Sequence, residues 1–125
     1  MDEPDWSLSD DRRTVTVRFP TNSESLELDA TALEKMQAKL GELRALMIPP
    51  IHPDWAMGQK VVVRPNPRWV SEPDVMRGDS LLHIRDDRFG WLHYLIPREA
   101  AAKLAGFLQT QVDSPPPGQQ SGKPH

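Results

Sequence analysis

The chain has 125 residues, a net charge of -3 and no cysteine. That length suits one domain with its own core, and the missing cysteines exclude a disulfide framework, a thiol nucleophile and a cysteine zinc site. No apolar run reaches the ~18 residues of a membrane span, and the acidic start Met1 to Trp6 lacks the basic-then-apolar pattern of a signal peptide, so a cytoplasmic location is expected.

Residues 1–13 are rich in Asp and Ser without periodicity and read as a flexible acidic arm. A single α+β domain is expected over 14–112. Thr14-Val-Thr-Val-Arg-Phe19 alternates polar and apolar side chains, Pro20 to Ser23 is a turn cluster, and Ser25-Leu-Glu-Leu28 resumes the alternation. Period-two alternation marks a half-wet antiparallel hairpin. Asp29 offers an N-cap, with Thr31 and Glu34 as a competing capping box. Leu33, Met36, Leu40, Leu43 and Met47 then recur at steps of three and four, one stripe of a helix whose burial is expected. Gly41 is costly in that helix, and close backbone approach or simple tolerance explains it. Ile48-Pro49-Pro50 stops it.

The connector 49–79 is rich in Pro and Trp. Val61-Val-Val-Arg64 reads as a short central strand, and Arg68-Trp69-Val70 as a brief edge strand after Pro65 and Pro67. Leu81 to Arg85 and Trp91 to Ile96 form a second hairpin, with Gly90 in the left-handed position of its turn. An odd loop puts Leu82, Ile84, Leu92, Tyr94 and Ile96 on one face. His83, Arg85, Trp91, His93 and Leu95 fall on the other. A five-residue loop sets His83 opposite His93; a three-residue loop Arg88-Phe89-Gly90 sets His93 opposite Arg85. Pro97 suits the first position of a helix striped by Ala100, Ala101, Leu104, Phe107, Leu108 and Val112. Residues 113–125 are a disordered Pro/Gly/Gln tail by composition. The hairpin-into-helix pattern thus occurs twice. The expected fold is α+β: a mostly antiparallel sheet of about five strands with both helices on one face.

Chemistry is sparse. His83 and His93 need a further ligand from His52, Asp54 or Asp79 to form a metal site, and no spacing demands one, so no metal and no cofactor are expected. Ser80, His83 and nearby aspartates lack the nucleophile elbow of a hydrolase, so no catalytic set is assigned. Residues 1–47 carry ten acids and six bases, while 60–98 carry seven bases and five acids. That excess is far from the footprint of a nucleic-acid binder. Arginine beside tryptophan suits stacking and interface anchoring. The candidate binding residues are therefore Trp55, Arg64, Arg68, Trp69, His83, Arg85, Trp91 and His93. They suggest a small non-enzymatic module that binds another protein or a second copy of itself through an open sheet face and the connector. One alternative is a small-molecule or enzymatic pocket around His83, His93, Arg64 and Arg68. Another is single-stranded nucleic-acid binding along the arginine-rich half.

Overall fold

The computed structural model describes residues 3–55 and 57–119. The chain divides between Gln59 and Lys60 into two compact units. The first holds strands β1 (Asp5–Leu8), β2 (Thr14–Arg18) and β3 (Ser25–Asp29) and helix α1 (Ala30–Leu46). The second holds β4 (Trp69–Pro73), β5 (Ser80–Asp86), β6 (Gly90–Ile96), α2 (Arg98–Asp113) and a 3-10 turn at Pro117–Gln119. Each unit is a three-stranded antiparallel sheet in sequential order, followed by a helix. The α+β class stands as expected. A single sheet of about five strands with both helices on one side does not: the described residues form two sheets, each followed by its own helix.

In the first unit, alternation sorts the side chains cleanly. Trp6 pairs Val17, Leu8 pairs Val15, and Leu28 and Leu26 pair Val15 and Val17 from the other side. All six therefore share one apolar face. Asp5, Ser7, Thr16, Arg18 and Ser25 line the polar one. Strand β1 lies where a flexible arm was expected. A turn held by Ser9 fixes it: the Ser9 amide donates to the Thr14 carbonyl at 3.0 Å, and its hydroxyl donates to Asp11 at 2.7 Å. Its two apolar residues, Trp6 and Leu8, are too short a run to show a period.

Asp29 is the N-cap of α1, its carboxylate accepting from the Ala32 amide at 2.8 Å. Only the first turns of α1 are partly covered, at Ala32, Leu33 and Met36. Leu40, Leu43 and Met47 of the same stripe are exposed, so the expected burial of the whole stripe is not met. Among the described residues Val17 and Leu28 alone are buried apolar side chains.

In the second unit, Val61 to Arg64 form no strand, contrary to expectation; the three valines are exposed. Proline at 65 and 67 removes two amide donors directly after them, which opposes ladder formation. The expected edge strand is present and longer, as β4. The hairpin turn is Asp87-Arg88-Phe89, with Asp86 opposite Gly90, and Gly90 has φ +78 as anticipated. This three-residue loop is shifted by one from Arg88-Phe89-Gly90, so the register is the one expected of the five-residue alternative, with Arg85 against Trp91 and His83 against His93. Pro97 is the N-cap of α2 rather than its first helical residue. The stripe of α2 is present but uncovered, with Leu104, Phe107, Leu108 and Val112 exposed. Of the expected tail 113–125, Asp113 closes α2, and 120–125 lie outside the described residues. Residues 1–2 of the expected arm lie outside them too.

Gly41 meets no atom within 4 Å of an added Cβ, so close approach does not explain it. Gly41→Ala is expected to stabilise the first unit by about 0.5–1 kcal/mol, read as a raised denaturation midpoint. In the hairpin turn, the Arg88 amide donates to Asp86 at 2.7 Å and the Phe89 amide at 3.1 Å. Chiefly that Arg88 amide, then the Arg88 side chain, holds the Asp86 carboxyl below its ordinary value. A lowered folded value means the ionised carboxylate supports the turn above the unfolded value of about 3.9, and that support fades as pH falls through the folded value. Hydrogen-exchange protection at Arg88 and Phe89 should fall below about pH 4 in the native chain and stay flat in Asp86→Asn.

Candidate functional site

The second sheet carries two dissimilar faces, and the ladder explains both. The Arg85 amide donates to the Arg68 carbonyl at 2.8 Å. Antiparallel ladders alternate, so the odd residues of β5 aim their backbone groups at β4 and the even ones at β6. His83 and His93 are thus a non-hydrogen-bonded backbone pair, the kind in which Cα atoms approach to about 4.5 Å and side chains meet most closely.

Their rings do meet. His83 Nδ1 and His93 Nδ1 are 2.8 Å apart, with ring centroids at 5.0 Å and planes at 72°. On its other side, His83 Nε2 lies 2.6 Å from Glu72 Oε2. Glu72 faces Leu81 in the register, so it is a diagonal neighbour of His83, within reach of a long side chain. The result is a chain Glu72–His83–His93 that crosses all three strands.

With both rings uncharged and Glu72 ionised, proton placement in this chain follows from valence. An ionised carboxylate only accepts, so His83 carries its proton on Nε2. Neutral His83 then has a bare Nδ1, which accepts from the Nδ1–H of His93. His93 keeps its lone pair on Nε2. At 2.8 Å the two rings are hydrogen-bonded; two ligands of one tetrahedral zinc stand about 3.3 Å apart. Among the described residues no group of three or more His, Cys, Asp or Glu is placed to hold a metal ion.

The arginines gather elsewhere. Arg64, Arg68 and Arg85 line a cavity of about 270 Å³ with Asp87 and the segment Pro65 to Pro67. Arg85 Nη1 donates to the Asp86 carbonyl. Neither histidine lines this cavity, so the structure does not unite Arg64 and Arg68 with His83 and His93. Trp91 is partly exposed on the histidine face, and it lines a 450 Å³ recess with Arg68, Trp69 and Val70. Trp55 is exposed and belongs to the first unit.

Trp69 also serves the opposite face. There an open groove of about 730 Å³ runs between the sheet and α2, walled by Trp69, Leu82, Ile84, Ile96, Leu104 and Leu108. The two features that sequence reasoning missed are Glu72 and this groove. Glu72 sits before Pro73, two residues past the end of the expected edge strand Arg68 to Val70. Extending the Arg68–Val70 edge strand by two residues would have placed it beside His83.

Comparison of the chain with protein-family models, curated proteins and solved structures returns no match, so the site stands on its geometry. No helix among the described residues is long and apolar enough to cross a membrane.

The proton assignment is directly measurable. Imidazole nitrogen shifts of the uncharged rings should place His93 in the Nδ1–H tautomer, the minor form of free histidine, and His83 in the Nε2–H form. Glu72→Ala should return His93 to a mixture of tautomers, because His83 then no longer has a fixed proton.

Proposed function

We propose that the chain is a non-enzymatic protein-binding module that pairs with a second copy of itself through the groove of its second unit. The observation that carries this is an amphipathic helix with its apolar stripe left uncovered. Leu104 and Leu108 wall the groove, yet they are 41% and 52% exposed, and α2 has no buried residue. From Leu104 to Val112 the helix has no charged side chain. Apolar surface this continuous costs free energy in water and is covered when a partner docks.

A second copy fits for two reasons. The helix that walls the groove also has the length and apolar character needed to fill one, so a two-fold arrangement places each α2 along its partner's groove. The area is also of the right order. Trp69, Leu104, Phe107, Leu108 and Val112 leave on the order of 600 Å² open per copy, against about 800 Å² per partner in a standard interface. Trp69, an anticipated binding residue, and Phe107, 67% exposed, are the aromatic anchors of such a contact. A cysteine-free chain suits a reducing compartment, and we assign the module to the cytoplasm on that ground.

The arginine cavity favours a weaker second reading. Arg64, Arg68 and Arg85 around one recess suit a small anionic ligand or a nucleic-acid phosphate, although the Asp87 carboxylate shares the wall. Binding there would fall steeply with salt, whereas docking in an apolar groove would not.

Sedimentation across micromolar concentrations should give a reversible dimer. Phe107→Asp should weaken it by at least about tenfold, ~1.4 kcal/mol, while leaving the helical circular dichroism unchanged. A strict monomer, or a Phe107→Asp variant that still pairs as the native chain does, would remove the reading.

A further inference from the structure

The Glu72–His83–His93 chain lies on the sheet face opposite the groove and is independent of docking there. Its middle member is unusual in having both ring nitrogens aimed at a neighbour. Glu72 takes the Nε2 side, which leaves His83 Nδ1 as a lone pair pointing at His93 Nδ1. With His83 uncharged, the one proton between those two nitrogens belongs to His93.

We propose that this point is a binding site for a late first-row divalent cation, with the two Nδ1 atoms as ligands and Glu72 as the group that orients them. Metal-bound histidines characteristically donate their other N–H to a carboxylate, which fixes the tautomer and raises the basicity of the ligating nitrogen. His83 already has that arrangement: its Nε2 is 2.6 Å from Glu72 Oε2, and its Nδ1 is bare. For His93 to become the second ligand, its proton moves from Nδ1 to Nε2 through solvent. No proton is lost overall, and both Nδ1 lone pairs then converge on the cation.

The geometry is close to what such an ion needs. The nitrogens must part from 2.8 Å to about 3.3 Å for a tetrahedral ion with bonds of about 2.0–2.1 Å, a shift of about 0.5 Å that small side-chain rotations supply. His83 is half-buried and held by Glu72, while His93 is exposed on β6, so the mobile ligand is the one that water can reach. Water completes the coordination. Two arginines share this face by strand position: Arg85 is turned to the Asp86 carbonyl, and Arg68 lines the arginine cavity with Arg64 and Asp87. Two imidazoles with water favour Cu²⁺ over Ni²⁺ and Zn²⁺, and disfavour Mg²⁺ and Ca²⁺, which prefer oxygen ligands.

The test uses the full chain carrying His52→Asn and His125→Asn, which removes the other two histidines of the sequence. Titration with Cu²⁺ and with Zn²⁺, followed by calorimetry and by imidazole nitrogen shifts, should show one ion per chain, with copper the tighter. His93 should move from the Nδ1–H to the Nε2–H form as zinc is added. His83→Asn and His93→Asn should each lower affinity by more than about tenfold, and Glu72→Gln by about 10–100-fold. Equal affinity in the native pair and in His83→Asn would overturn the site. Tight binding with Glu72→Gln unchanged would overturn the role given to the carboxylate. Because the readout is metal occupancy, it is decided whether or not the chain dimerises.

Discussion

The odd–even parity of β5 is the constraint from which the second unit follows. A central strand must divide its backbone groups between two neighbours, and the bond from the Arg85 amide to the Arg68 carbonyl fixes which residues serve which side. Once that is set, Leu82 and Ile84 must face α2, and His83 and Arg85 must face away. A slip of one residue would exchange the two sets. It would place imidazoles in the apolar groove and leucines beside Glu72. The turn guards against this slip, because Gly90, the first residue of β6 after the Asp87-Arg88-Phe89 loop, has the left-handed conformation that closes a three-residue connection.

The same parity explains how two histidines ten residues apart come within hydrogen-bond distance without a designed cage. Non-hydrogen-bonded pairs bring side chains closest, so position does the work that a dedicated loop does in larger proteins. The carboxylate comes from a third strand, so the chain of three polar groups exists only when all three strands are paired. It reports on the integrity of the sheet as well as on its own chemistry.

Much of this was legible beforehand. Alternation at Thr14 to Phe19 and at Leu81 to Ile96, the Asp29 cap, the Pro49 stop and the facing of His83, Trp91 and His93 follow from period, capping and proline sterics. The failures share a cause. Asp5–Leu8, and the part of β4 beyond Val70, are short edge stretches with two or fewer apolar residues per face, so their pairing is decided by the neighbouring strand and not by local pattern. Val61 to Arg64 misled in the opposite way, having β propensity but no ladder partner. Glu72 was hidden because it lies past Val70, where the expected strand stopped. The stripes of α1 and α2 were read correctly as stripes, but period shows which residues share a side and not whether anything lies against it. That is why burial was expected for Leu40, Leu43 and Met47, and exposure was found.

The outer rim of β4 has one more consequence. Its even residues bond inward to β5, so positions 67, 69, 71 and 73 turn their backbones outward. Two of these, Pro67 and Pro73, have no amide hydrogen. An incoming strand would find donors only at Trp69 and Ser71, too few to anchor a ribbon. Fibrillar stacking is therefore blocked on that flank, and any lateral growth of the sheet must proceed past β6.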